Sequence, residues 1–478
     1  MKIVVLLMIS SMFSVAFASG GDRYVGVLTI ALREHPDNLS SCVKLLKFGD
    51  KVSECEAARS ALAFSGDRRK LPSSLVPTWM KVVVDGQSGY VPTRSLVGKL
   101  SKEDEMLIGE IGEAKSLVAK QGFSETEDEV ALVSMKGAAG DARLSDSATD
   151  LNDVLVAISA AGRQPIDDAT AAFFLNEGSL HGVVAPVTIA KDEVTSASDA
   201  FAKLELLSKR AAAAGKLDDE VKLALKMMRS IAILLAIDEI EPKVEFALGL
   251  RVLSHFLVEY KPVPPADGRS TYLNKVGQSV ARASAYVPFA GYRFVLVESA
   301  EANAFAVPGG VICVCTGLFN ILKSEDELAA VLGHEIAHVE MRHGLKGIGE
   351  NSMMTICSDV LGFAIDVDKD LSSDQVKKAI NQVLDEMFKR IKNGYNADLE
   401  GQADWRSIQF LARIGYDPNG FFEVLERFKT VFGTYGGAKY PEKRGADVRK
   451  YIEQFGLGGK VVEGRIVREM RYKMAIGQ

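Results

Sequence analysis

Residues 333–344 read GHEIAHVEMRHG and hold three of the chain's six histidines. His334 and His338 stand four apart, and Glu335 directly follows the first. The run SEDELAAVLG upstream favours a helix here. On a helix the two imidazoles share one face, with about 6 Å between their Cβ atoms. That spacing lets two ring nitrogens converge on one zinc ion, with Glu335 placed to act on a water held there. His343 follows His334 by nine residues. On a regular helix it turns to the opposite side, so no ligand role is expected of it.

Zinc that does chemistry usually takes three protein ligands and keeps a fourth position open. The segment NADLEGQADWRSIQFLARIGYDP supplies a third. Its pattern is helical, Glu400 and Asp404 share a face, and Ile408 and Leu411 carry that face into a core. Glu400 completes the shell. Asp404 is placed to accept the other ring N–H of a ligating histidine and fix its tautomer. Further upstream, NAFAV reads as a short strand stopped by Pro308-Gly309-Gly310, and VICVCT as a buried one. Proline confines the first to a sheet edge or a strand end. An edge strand of Asn303, Ala304, Phe305, Ala306 and Val307 beside a metal cleft can pair with an extended peptide.

NAFAVPGG, CTGLF, ELAAVLGHEIAHVEMRHG and EGQADWRSIQFLARIGYDP occur in the order found in CAAX prenyl protease-like zinc peptidases. The segment 241–455 resembles that family, which also holds HtpX- and BepA-like quality-control peptidases and their mitochondrial relatives. The resemblance implies a mainly helical zincin of the gluzincin type with a small β-sheet. It further implies one Zn2+ per chain on His334, His338 and Glu400, with Glu335 as catalytic base. Family members commonly carry a His-Pro pair followed by an arginine after the third ligand, serving the transition state or access to the metal. Here AKYPEKRGADVRKYI places Tyr440 where the histidine stands, and the arginine is Arg444 or Arg449. The implied activity is zinc-dependent endopeptidase action on misfolded or stalled envelope proteins. A second reading, a largely latent zinc-binding chaperone-like or assembly protein, rests on Tyr440 and on the long N-terminal half.

The remaining sequence must position these residues. At 478 residues a multidomain α+β chain is expected. MKIVVLLMISSMFSVAFASG has the lysine, apolar run and Ala16-Phe17-Ala18 of a signal peptide cut after Ala18. With the resemblance, this points to the periplasm or cell envelope of a bacterium. No later run reaches a membrane span; SIAILLAI (230–237) is far too short. Residues 22–100 alternate β-rich runs with the turn signals HPDN, FGD and DGQSG. They resemble a bacterial SH3-like β-barrel, with Trp79, Gly86, Gly89 and Tyr90 in order, which implies cell-wall peptides or a protein as partner. Residues 101–195 carry helical patterns, in KEDEMLIGEIGEAKSLVAKQG and DLNDVLVAISAAG, without assignable chemistry. The peptidase unit is expected over 196–478, led by helices in FAKLELLSKRAAAA, EVKLALKMMRSIAILLAIDEI and EFALGLRVLSHFLVEY.

A net charge of −6 argues against a nucleic-acid partner. The basic run GRIVREMRYK reads as a solvated strand or helix face. Cys42 and Cys55 are candidates for a disulfide, whereas Cys313, Cys315 and Cys357 read as buried apolar residues. Neither His181 nor His255 is expected to bind metal.

Overall fold

The structure, a computed structural model, describes residues 22–58, 60–62, 79–100, 104–105, 108, 186–188, 240–264, 267–346, 384–432, 444–454 and 464–477. The expected signal segment, His181, Cys357, Tyr440 and nearly all of 101–239 lie outside the described residues. The fold is mixed α+β, with a β-sheet region first and a helical region last.

Seven antiparallel strands form the N-terminal sheet: β1 (Asp22–Val25), β2 (Thr29–Arg33), β3 (Cys42–Lys47), β4 (Lys51–Ala58), β6 (Trp79–Val84), β7 (Gln87–Pro92) and β8 (Leu96–Val97). Their order is β3-β2-β7-β6-β4-β1-β8; β5 (Ser60–Leu62) pairs separately with β9 (Pro186–Thr188). Alternation supplies the core, because inward residues such as Ile30, Leu32, Met80, Val82 and Val91 are buried together. HPDN and FGD fall between strands, and of DGQSG only Asp85-Gly86 does, closing the β6–β7 hairpin with positive φ at both positions while Gln87 to Gly89 open β7. The candidate Cys42–Cys55 disulfide is not formed: Cys42 is a free, exposed thiol. Cys55 sits on β4, with β2, β7 and β6 between the two strands. A bridge needs Cα atoms within about 7 Å.

The helical region carries a second sheet: β10 (Lys261–Pro262), β11 (Arg293–Glu298), β12 (Ala304–Val307) and β13 (Val311–Cys315), ordered β10-β11-β13-β12. β11 and β13 run parallel and are buried almost throughout, as continuous apolar runs require when both faces are covered. Cys313 and Cys315 are buried there, as expected. Among the described residues β12 pairs with β13 alone, which puts the strand before Pro308 at the sheet edge. Gly309 and Gly310, at φ 81° and 97°, make the tight turn between them.

Around this sheet pack α1 (Pro242–Glu259), α2 (Gly268–Ala281), α3 (Thr316–Ile321), α4 (Glu325–Glu340), α5 (His343–Lys346), α6 (Ala397–Ile414), α7 (Asn419–Phe432), α8 (Arg444–Gln454) and α9 (Arg465–Ala475). A further helix covers 384–393. α4 carries the HExxH motif and is buried along its whole length. The Ser324 hydroxyl caps its N-terminus by accepting from Glu327 N, and three acidic residues in its first turn favour the positive end of the helix dipole. Those acids are buried, and α9 comes back to neutralise two of them. Arg471 donates to Glu325 and Arg468 to Asp326, while Arg427 of α7 serves Glu327. The solvated face expected for GRIVREMRYK is therefore only part of the helix: Val467, Met470 and Lys473 are exposed, but arginines of the run turn toward acids. The helix buries Arg468 and Tyr472, and Ile466 and Met474 face outward instead. Buried carboxylates demand these countercharges, and that demand overrides the usual outward placement of arginine.

The opposite end of α4 is held as firmly. The buried Glu340 carboxylate accepts from Ser284 Oγ at 2.6 Å, Ala285 N at 3.0 Å and Arg406 Nε at 2.7 Å. Its backbone carbonyl accepts from Arg94 of the N-terminal sheet unit at 3.2 Å. That unit also meets the helical region through Leu28 N donating to Phe289 O at 3.0 Å, and through Arg413 Nη2 on Asp37 at 2.5 Å. Breaking a buried ion pair from one side leaves a charge uncompensated. Glu340→Ala should therefore lower unfolding free energy by about 3–5 kcal/mol, whereas Glu340→Ala with Arg406→Met should regain most of it. Chemical denaturation of the three proteins checks this, and equal losses in the single and double variants would contradict it.

Candidate metal centre

α4 and α6 lie in direct contact, and their packing brings the motif residues together. Gly333 permits the approach, since a Cβ there would meet Ser407 Oγ at 2.7 Å. Ser407 in turn donates to Ala330 O at 2.9 Å, tying α6 to the turn before the histidines. α6 starts on Asn396, whose side chain accepts from Asp398 N and Leu399 N. That cap sets the helical phase which turns Glu400 and Asp404 toward α4.

His334 Nε2 lies 2.9 Å from His338 Nε2 and 3.1 Å from Glu400 Oε2, and His338 Nε2 lies 3.8 Å from the same oxygen. The three ligand atoms thus surround one point, all within 4.8 Å of one another, and all three residues are buried. Two imidazole nitrogens and one carboxylate oxygen form a donor set suited to zinc. The far nitrogens are held as a metal site requires. His334 Nδ1 is 2.9 Å from Asp404 Oδ1, and His338 Nδ1 is 2.8 Å from His343 Nδ1. The second oxygen of Glu400 accepts from Tyr395 N at 3.0 Å, and the Tyr395 ring packs against His338 with centroids 4.6 Å apart.

His343 is the clearest departure from expectation. α4 ends at Glu340, Arg342 takes φ 54°, and the chain turns back into α5. The regular helix assumed for nine residues after His334 stops short, so His343 swings round to support His338 from behind. Arg342 is buried and its Nη2 donates to Ile240 O at 3.0 Å, which holds the turn. Sequence reasoning also passed over Tyr395; the one available signal was an aromatic residue directly before the Asn396 cap.

Of the two arginines left open, Arg444 reaches the site. It grips Asp404 with two hydrogen bonds, of 2.8 and 2.6 Å, and its Nη2 is 3.7 Å from Glu400 Oε2. Arg449 lies instead 4.2 Å over the Phe422 ring. His255 is exposed on α1, away from these residues.

Charges in the site are set by burial and by close partners. Burial pushes the Glu335 carboxyl up to about 7, with the Glu400 charge adding to it; the His334 charge, the Ala306 N–H and Arg444 work the other way. Burial works against a charge on His334, yet its hydrogen bonds to Asp404 and Glu400 outweigh this and raise the ring to about 10. Burial and the neighbouring His334 charge lower His338, and burial takes His343 well below the ordinary histidine value. Burial would raise Glu400, but hydrogen bonds from His334 and His338 hold it well below the usual carboxylate range.

A cavity of about 450 Å³ opens onto His334, Glu335, His338 and Glu400. Ala302 to Ala306 line it, so the edge strand forms one rim. Cys315 N donates to Asn303 O at 3.0 Å. In an antiparallel ladder this turns the backbone groups of Asn303, Phe305 and Val307 toward β13, and those of Ala304 and Ala306 outward.

In the metal-free protein near neutral pH the proton sits on His334, since its pKa of about 10 lies above the medium. A cation needs that lone pair, so uptake must eject the proton. Affinity should then rise with pH up to about 10 and fall as pH drops, because protons compete below the pKa. Titration calorimetry at about pH 7.5, in buffers of different ionisation enthalpy, should show release of about one proton per metal. Uptake without release would contradict this assignment.

The model of peptidase family M48 matches residues 267–454. The mitochondrial metalloendopeptidase OMA1 of Arabidopsis thaliana is 30% identical over 151 residues, covering 32% of this chain and 28% of that protein. The beta-barrel assembly-enhancing protease of Escherichia coli (strain K12) is 30% identical over 161 residues, 33% of this chain and 32% of that protein. The putative beta-barrel assembly-enhancing protease of Vibrio cholerae is 30% identical over 159 residues, 33% of this chain and 32% of that protein. The chain thus spans about a third of the length of these relatives. The segment that supplies His334, Glu335, His338, Glu400, Asp404 and Arg444 is the segment that matches peptidase family M48, and its relatives are metalloendopeptidases and proteases by name.

Proposed function

We propose that this chain is a zinc-dependent endopeptidase of the bacterial cell envelope. It hydrolyses peptide bonds in misfolded or stalled exported proteins. The observation that carries this reading is the meeting of His334, His338 and Glu400 in the cavity that also holds Glu335 and the outward groups of an edge strand. The names of the bacterial relatives support an envelope role. Among the described residues no helix is long and apolar enough to cross a membrane.

His334, His338 and Glu400 would hold a zinc ion, which would supply electrophilic polarisation and lower the pKa of water there. Every other step belongs to side chains and backbone of this chain. The outward N–H and C=O of Ala304 and the C=O of Ala306 bind substrate in extended form, with the target peptide bond laid across the cavity. Glu335 takes the proton of the attacking water and hands it to the leaving amine. The Ala306 N–H steadies that carboxylate. Asp404 fixes the His334 tautomer, and Arg444 fixes Asp404, so the arginine acts through the ligand set. The Tyr440 hydroxyl, four residues before Arg444 in the chain, is the candidate donor to the developing oxyanion.

The chain divides, on this reading, into the signal segment 1–18, an SH3-like module over 22–100, a connecting region over 101–195 and the peptidase unit over 196–478. The SH3-like module would bring a cell-wall peptide or protein partner close to the cleft.

The test is incubation of zinc-loaded residues 19–478 with casein, beside Glu335→Gln and a chelator-treated sample. Cleavage by the unaltered protein alone is expected, with Glu335→Gln reduced by at least about a hundredfold. Zinc binding without any cutting would favour the latent, chaperone-like reading.

A further inference from the structure

The turn that puts His343 behind His338 runs through Arg342, whose side chain disfavours the left-handed backbone it adopts at φ 54°. Something must hold it there, and the holder comes from α1. Arg342 Nε lies 3.0 Å from Glu245 Oε2, and both side chains are buried. Arg342 Nη2 donates to Ile240 O, just before the same helix. Tyr286 completes the cage. Its ring centre lies 5.5 Å from the guanidinium carbon, and its hydroxyl donates to Glu245 Oε2 at 2.7 Å. Burial and the Glu245 charge push that hydroxyl up, so it stays a donor. The Arg342 carbonyl accepts from Leu345 N and Lys346 N, which starts α5 and sets the direction in which His343 leaves the turn.

α1 braces the other side of the site as well. A Cβ at Gly249 would collide with the Pro308 carbonyl, and one at Gly309 with the Phe246 backbone, so α1 abuts the turn that ends the edge strand. Glu245, Phe246 and Gly249 share one face of that helix. Between the edge strand and α4 lies a cavity of about 10 Å³, and Glu245, Pro308, Arg342 and Tyr395 line it together with His338. Glu245 thus borders the same small space as the ring of a metal ligand.

We propose that Glu245 is a positioning residue for the metal centre: it fixes Arg342, Arg342 fixes the turn, and the turn keeps His343 Nδ1 2.8 Å from His338 Nδ1. The proposal rests on His334, His338 and Glu400 holding zinc, and not on hydrolysis. A buried guanidinium without a countercharge cannot stay inside, so Arg342 occupies its place only while Glu245 is ionised beside it. His343 is the next residue in the chain, and displacing Arg342 carries it away. His338 then loses the partner on its far nitrogen, and its ring must be ordered by the metal alone, which costs affinity. An ion pair that served stability alone would leave the ligand ring where it is.

Zinc affinity of residues 19–478 is measured by competition with a chromophoric chelator, and the visible bands of the Co2+-loaded protein report the geometry of the ligands. Glu245→Gln keeps an acceptor for Tyr286 and removes the charge; it should weaken zinc binding by at least about tenfold. His343→Ala should weaken it to a similar extent. The two changes together should weaken it no more than His343→Ala alone, because they act along one line of contacts. The Co2+ bands should shift alike in all three proteins. Glu245→Gln with Arg342→Gly leaves no charge buried and suits the positive φ, so it tests the same link in a chain that folds, and again a loss of at least about tenfold is expected. A lower unfolding midpoint with unchanged zinc affinity and Co2+ bands would make Glu245 a structural ion pair and overturn the proposal. Losses that multiply between Glu245→Gln and His343→Ala would also overturn it. Failure of the unaltered protein to bind zinc would overturn this proposal and the metal centre together. Zinc binding without cleavage of casein would sink the hydrolytic reading alone, and the affinity comparison would still decide the role of Glu245.

Discussion

Two imidazole nitrogens 2.9 Å apart, with a carboxylate oxygen 3.1 Å away, crowd three lone pairs into one place. Without a cation or a proton between them such an arrangement repels itself. The architecture exists to hold it. His334 and His338 come from one helix and Glu400 from another, so the site is only as precise as the contact between α4 and α6. A glycine at 333 and the Ser407–Ala330 hydrogen bond set that contact. The far sides of both rings are then fixed by Asp404 and His343. Rotation of either imidazole is removed before any metal arrives.

The same helix is anchored at both ends by buried charge. Its first turn is neutralised by Arg471, Arg468 and Arg427, its last by Arg406. Buried ion pairs of this kind add little net stability over apolar packing but penalise misplacement heavily, because an unpaired charge cannot stay inside. They act here as locating pins, holding the helix in register along its axis. The β-sheet performs the matching task across the cleft, presenting an edge strand whose outward groups face the same cavity.

Much of this was legible in the sequence. Spacing alone placed His334 and His338 on one helical face and Glu400 with Asp404 on another, and the proline after Val307 marked a sheet edge or a strand end. These are local periodicities, and local patterns survive translation into structure. The features that were missed depend on chain reversals or distant partners. His343 was assigned to the wrong side because nothing local announces the positive φ at Arg342. The solvated reading of GRIVREMRYK held only in part because Arg468 and Arg471 answer to acids more than a hundred residues earlier. The choice between Arg444 and Arg449 was likewise open to spacing, and only the position of α8 beside Asp404 separates them.

The attachment of α9 has a consequence for the order in which the molecule is built. The acids of the HExxH helix reach the folding chain long before Arg468 and Arg471 do, since synthesis proceeds from the N-terminus. Until those arginines arrive, Glu325 and Asp326 have no α9 countercharge, and burying that first turn is unfavourable. A half-made chain therefore cannot settle its ligand helix. Under the proposed peptidase function this is a delay of evident value: the blade is fitted only after the handle is complete.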